Sequence, residues 1–254
     1  MFALEFPPLS HIVNWPGFVG DGELYEINKV VLVYGFAVVL TLAIFILGNK
    51  KQLVPTGAQN LAEISVEFIE DQIIQPTVGP TKSKLLAPFM LSLFFYIFFT
   101  NIFEVIPFIQ MPASARIALP MFLALLSYVI YHGAGFKNHG PIGYIKHALV
   151  PPGVPWPLLF LVVPIEFVSK FLVQPFSHTV RLFANLLAGH ILLVTFGVLS
   201  AGLFTAKWYA VFLPLPVFGV IFFTAFEVLV SFLQAYVFTL LAGVYFGSAV
   251  SHEH

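Results

Sequence analysis

Three polar side chains stand inside one long apolar stretch, Ser177–Gly202: Arg181, Asn185 and His190. Burying a guanidinium in a bilayer costs from about 3 to more than 10 kcal/mol. Such a group therefore needs a partner, a water-filled cavity or a task. At about 100° per residue, Asn185 shares the face of Arg181, His178 lies one turn back on a neighbouring face, and His190 points about 180° away and about 13.5 Å farther along the axis. One helix thus carries a fixed positive charge on one side and a titratable imidazole on the other. A second stripe lies on the last apolar stretch, where Glu227, Ser231, Gln234 and Tyr245 fall within about 40° of one another. In an antiparallel hairpin, His190 and Glu227 lie toward the same end, where they can pair and exchange a proton. Their ordinary pKa values, about 6.5 and 4.3, suit a relay once burial and pairing adjust them.

Each of these residues also has a plainer role. Asn185, Ser231, Gln234 and Tyr245 suit hydrogen bonds between helices, worth about 0.6 kcal/mol each. His178 reads as structural or interfacial. Glu166 and Lys170, four residues apart, suit an ion pair near the inner interface. Asn101 and Glu104 sit near the end of a span, where snorkelling makes a charge cheap. Arg181 differs in having no acidic neighbour on its own helix. No H-E-x-x-H motif is present, and His178 and His190 on one helix make a poor pair of haem ligands. A permease that binds an anionic substrate at Arg181 is the competing reading, weakened by the small span count and the lack of an internal repeat.

The elements that must position these residues are membrane helices. The chain is 59% hydrophobic and 9% charged, against about 25% charged in a soluble domain. Its thirty Phe and lack of Cys suit a lipid-solvated bundle, and a net charge of −1 disfavours nucleic acid as a partner. Residues 1–29, acidic and without the pattern of a cleaved signal peptide, read as an outer N-terminal segment. Residues 30–48 form the first span, with Lys50 and Lys51 behind it. Residues 58–75 form an amphipathic interfacial helix with Leu61, Ile64, Phe68, Ile69 and Ile73 toward one side and Glu63, Glu67, Glu70 and Asp71 toward the other, closed by Pro76 and Pro80. Residues 85–136 form a two-span hairpin, and VPPGVPWP (Val150–Pro157) is a connector.

Residues 156–250 hold two helices too long for simple spans, with Pro164 and Pro175 as breaks or kinks and a joint near Lys207. A helix over Val217–Gly247 would measure about 46 Å, against a hydrocarbon core of about 30 Å. The expected fold is therefore one all-α polytopic membrane domain. It has about five embedded helices, one interfacial helix and a long oblique C-terminal hairpin. Lys50, Lys51, Lys82, Lys84, Lys137 and Lys146 inside, against Lys29, Arg116 and Lys207 outside, put the N-terminus outside and the C-terminus in the cytoplasm.

The segment Arg181-Leu-Phe-Ala-Asn185-Leu-Leu-Ala-Gly189-His190 resembles the signature of subunit a of the rotary F-type ATP synthase. Gln174-Pro175-Phe-Ser177, Asn101-x-x-Glu104-x-x-Pro107, and Glu227-x6-Gln234-Ala235 with Tyr245 fit the same family, in a form closest to actinobacterial sequences. The resemblance implies a non-catalytic stator of the F0 sector in the plasma membrane, without a cofactor or metal. It offers two proton half-channels to a rotating c-subunit ring and is held with peripheral-stalk b subunits and the F1 sector. It also implies that Arg181 is the essential arginine and that Asn185 and Gln234 lie near it. His190, Glu227, Asn101, Glu104 and Tyr245 would then lie on or near the outer access path. Glu166 precedes Arg181 by fifteen residues where the family's acid is expected at fourteen. That shift leaves roles for Glu166 and Lys170 unassigned.

Overall fold

The computed structural model describes residues 28–48, 57–106, 109, 114, 116–151, 153–205 and 209–251, and among these it is helical without strands. The acidic N-terminal segment, Lys50 and Lys51, Pro107 and the joint at Lys207 lie outside the described residues.

Helix α1 (Lys29–Gly48) is apolar throughout. It starts at Asn28, whose side-chain oxygen accepts the backbone N–H of Val30 at 3.1 Å and of Val31 at 3.2 Å. These are two of the donors that a helix start leaves unpaired. The interfacial element comprises α2 (Ala58–Ile69), a widened π-helical turn (Glu70–Ile74) and α3 (Gln75–Val78). It outlasts its expected end. Pro76 sits inside it, and Gly79, at φ 80°, closes it. The widened turn explains this: Pro76 can neither donate a hydrogen bond nor clear the preceding carbonyl of a regular helix, and a π turn just before it opens the backbone there. Pro80 opens α4 (Pro80–Ile102) instead of ending α3.

Helices α5 (Ala118–His139) and α6 (Pro141–Leu149) follow. Then α7 (Trp156–Val168), a second π turn (Ser169–Val173) and α8 (Gln174–Thr205) run on without a break, so that 156–204 is one apolar helical run of 49 residues. Neither Pro164 nor Pro175 breaks it, and Pro175 again follows a widened turn. After a 3₁₀ turn (Tyr209–Phe212), α9 (Pro214–Val250) extends for 37 residues. It is longer than expected because Pro214 and Pro216 fall in its first turn, where proline is tolerated. Four helical runs are long and apolar enough to cross a membrane, and Leu86–Ile102 is a shorter fifth.

The described residues cluster into two compact units. The first draws on the described residues within 28–42, 96–116 and 182–234. At its core Val30, Val33 and Ala37 of α1 pack with Phe103, flanked by Tyr34, Phe99 and Ile109. The second draws on the described residues within 43–95, 117–181 and 235–251. Within it Ile69, Ile73 and Ile74 are fully buried, whereas Leu61, at 70% exposure, and Ile64 face outward. The apolar stripe expected for the interfacial helix is therefore divided, its C-terminal half packed and its N-terminal half open. Thr77 packs so closely on α9 that a Cβ at Gly247 would collide with its carbonyl oxygen.

Candidate functional site

The chemistry-bearing residues form two groups, one in each unit. The first is built where α4 ends. Its last turn tightens, with Glu104 N–H donating to Asn101 O at 3.1 Å and Val105 N–H to Ile102 O at 3.0 Å. This tightening turns Asn101 and Glu104 inward. The expected snorkelling does not occur: Asn101 is fully buried and Glu104 only 2% exposed. A short carboxylate held in a turn, unlike a long lysine stem, cannot reach an interface, so it must be met inside. Asn101 Oδ1 accepts the Ser114 hydroxyl at 3.0 Å, and Glu104 Oε1 stands 3.2 Å from His190 Nδ1. Glu227 completes the group. Its carboxyl lies against Gly189, where any Cβ would run into it, and it is an electrostatic neighbour of Glu104. The histidine expected to pair with Glu227 is thus in direct contact with Glu104, with Glu227 at the adjoining residue. Three ionisable side chains from three stretches of sequence meet out of solvent, which is the composition of a proton relay.

The second group surrounds a cavity of about 370 Å³ walled by Tyr131, His132, Tyr144, Glu166, Lys170, Gln174 and Tyr245, among others. Lys170 Nζ lies 3.1 Å from Glu166 Oε2 and donates to the Ala148 carbonyl at 2.6 Å, so the expected i,i+4 pair forms and is also tied to α6. Tyr131 OH bonds Gln174 Oε1 at 3.3 Å. The Tyr144 hydroxyl lies 2.7 Å from His132 Nδ1. Burial pushes that hydroxyl up to about 12, so it keeps its proton at any physiological pH. Tyr245 stands between ring contacts, 5.8 Å from Tyr131 and 5.4 Å from His178, and Arg181 acts electrostatically on both Tyr245 and His178. Tyr245 therefore belongs with this cavity, and not with Glu104 and His190. His178 is buried and stacked on Phe238 at 4.4 Å.

Arg181 and Asn185 are half-buried on α8, and Ser231 and Gln234 are buried on α9. The second π turn lies between Glu166 and Arg181. A π turn holds one residue more than an α turn without adding rotation. Glu166, fifteen positions before Arg181, therefore presents the face that fourteen positions of regular helix would give. Tyr131, His132 and Tyr144 are not among the candidate site residues read from sequence, where His132 serves only to mark the inner side with Lys137, His139, Lys146 and His147. The sign available was Gly140-Pro141, a helix start, with Tyr144 and Ala148 on one face of the helix behind it.

Apolar helical runs of this length, which bury a histidine and two glutamates and half-bury an arginine, define a multi-pass membrane protein. The family model of the ATP synthase A chain matches residues 30–247, and the chain belongs to that family. It is 41% identical over 91% of its length to ATP synthase subunit a of Rhodococcus erythropolis, covering 85% of that protein. It is 38% identical to the subunit of Frankia alni (93% and 82% covered) and 35% identical to that of a Nocardioides strain (98% and 94% covered). The family supplies the non-catalytic, proton-translocating membrane subunit of the F-type ATP synthase.

Proposed function

We propose that this chain is the F0 stator, holding two aqueous half-channels against a rotating ring of c subunits. Protons enter from outside by way of Asn101, Glu104, His190 and Glu227, protonate a ring carboxylate, travel with the ring and leave to the cytoplasm. The observation that carries this reading is Arg181 midway along an unbroken apolar helical run of 49 residues, with His190, in contact with Glu104, nine residues farther along it. An always-charged guanidinium keeps a passing carboxyl group ionised and so forces release of its proton before the group crosses. It also bars a direct leak between the channels. Asn185 and Gln234 line the same rotor-facing side, and Ser231 extends the polar stripe. The membrane potential supplies about 2.3 kcal/mol per proton per 100 mV.

The lengths of α8 and α9 support an oblique hairpin, because 37 residues measure about 55 Å and fit a core of about 30 Å only when strongly tilted. Peripheral-stalk b subunits and the F1 sector complete the assembly, with the N-terminus outside and the C-terminus in the cytoplasm. The chain should co-purify with a small hairpin subunit and a soluble ATPase and, when reconstituted alone, transport no solute. Solute transport by the isolated chain would contradict the reading.

A further inference from the structure

Four of the chain's eight histidines fall in two short stretches, His139 and His147 on either side of the α5–α6 turn and His252 and His254 just after α9. None has a part in the chemistry described above. The first pair is already assembled. The rings of His139 and His147 lie 4.9 Å apart, centre to centre, with 18° between their planes, and both residues are half-buried. At a Zn–N distance of about 2.0–2.1 Å, two imidazoles on one tetrahedral ion have centres about 5 Å apart. The observed spacing is therefore that of two ligands of one ion, and a turn of one ring about its Cβ–Cγ bond is what aims both nitrogens at a common point. The ring of His147 is also held as a ligand's ring is held. Its Nε2 lies 3.1 Å from the Ser248 carbonyl. A carbonyl only accepts, so Nε2 carries the proton and Nδ1 the lone pair, and metal-ligating histidines ordinarily anchor their second nitrogen in this way. His139 Nε2 lies 3.3 Å from Asn138 Nδ2. An amide N–H donates, so the His139 lone pair is on Nε2, in a long surface contact that an ion can displace. Asn138 keeps its bond to the Val250 carbonyl at 3.0 Å.

The second pair enters the sequence beside the first. The Ser251 hydroxyl donates to the same Ser248 carbonyl at 3.1 Å, so Ser251 and the His147 ring converge on one oxygen. His252-Glu253-His254 follows Ser251 directly and lies outside the described residues. Consecutive Cα atoms are about 3.8 Å apart, which starts this tract within a residue or two of His147. We infer that His139, His147 and the tract His252-Glu253-His254 bind a divalent transition-metal ion of the zinc class, and that the ion clamps the end of α9 to the α5–α6 turn. Among the described residues no three potential ligands come together, so the tract supplies the third and fourth. Imidazole nitrogens with a carboxylate suit zinc, copper or nickel, whereas magnesium and calcium prefer an all-oxygen shell. Glu253 adds a negative charge that offsets the exposed Lys137 and Lys146 nearby in sequence. This site stands apart from the stator reading, since it uses neither Arg181 nor the Glu104–His190–Glu227 group.

The chain contains no cysteine, so thiolates of its own do not compete for the ion. In the purified, assembled complex, equilibrium dialysis against Zn²⁺ is expected to show about one more bound ion per copy of this chain than in the double variant His139→Gln with His147→Gln. Affinity at that site is expected to fall at least about tenfold both there and in His252→Gln with His254→Gln. Co²⁺ in place of zinc should give the visible absorption of a tetrahedral nitrogen-ligated ion in the wild type and lose it in both double variants. Mg²⁺ at the same concentration should displace neither metal. As a clamp, zinc should raise the melting temperature of the wild-type complex by several degrees and leave that of both variants unmoved. Equal zinc binding in the wild type and either double variant, or an equal shift in melting, would overturn the inference. If the helix pair fails to assemble, the tract pair alone decides. Arg181→Ala is expected to bind zinc as the wild type does, so loss of the zinc site and loss of the stator reading are told apart.

Discussion

The two polar groups solve one problem, ionisable side chains inside apolar helices, in opposite ways. Around Glu104 and His190 the ionisable side chains are nearly out of solvent and meet directly across 3.2 Å. Around Glu166 and Lys170 the charges are part-exposed, they pair within one helix, and the buried members of the wall are tyrosines and a histidine whose charged forms are not needed to hold them. A buried pair is costly to make and more costly to break, because removing one partner strands the other at about 3–5 kcal/mol. A part-exposed pair is worth about 1 kcal/mol or less. The first group is therefore fixed in geometry. The second is more tolerant of change.

The comparison can be broken at its strongest point with Glu104→Leu. This leaves His190 buried without its carboxylate and is expected to lower the stability of the subunit by about 3 kcal/mol and to cut proton flux more than tenfold, as read by thermal melting of the complex and by vesicle acidification. Near-normal flux would show that the pair is only structural. Gly189→Ala is the next largest. Its added methyl meets the Glu227 carboxyl, and overpacking of this kind costs about 1–3 kcal/mol. Flux should fall about tenfold while the complex still assembles, and a silent variant would show that Glu227 can move away freely.

Gly135→Ala makes the corresponding change in the second group by pushing Tyr144 away from His132. A loss of several-fold in flux, without loss of subunit from the complex, is expected from paired flux and immunoblot measurements. Glu166→Gln should have the smallest effect on stability, a change in melting of about 1 °C or less, because its pair is part-exposed. A large destabilisation there would erase the contrast between the two groups.

Much of this was readable before the structure, for a physical reason. Charge in an apolar helix is rare, so Arg181, His190 and Glu227 stood out by position alone, and helical arithmetic placed them on their faces. Glu104 was undervalued because its place at the end of a span suggested snorkelling, whereas the tightened last turn of α4 directs it inward. The two π turns were invisible, since hydropathy patterns assume 3.6 residues per turn. They explain both the survival of helices through Pro76 and Pro175 and the apparent one-residue displacement of Glu166. The cavity wall is harder to read, because tyrosine and histidine at helix spacing look like ordinary core. The contact between Tyr144 and His132, made across Gly135, sets it apart.

The central claim is that a fixed positive charge at residue 181 governs proton passage. The most direct measurement is ATP-driven acidification of inverted vesicles carrying Arg181→Ala in an otherwise intact complex, with subunit content checked in parallel. Acidification is expected to disappear while the subunits remain present. Coupled acidification at the normal rate would contradict the account.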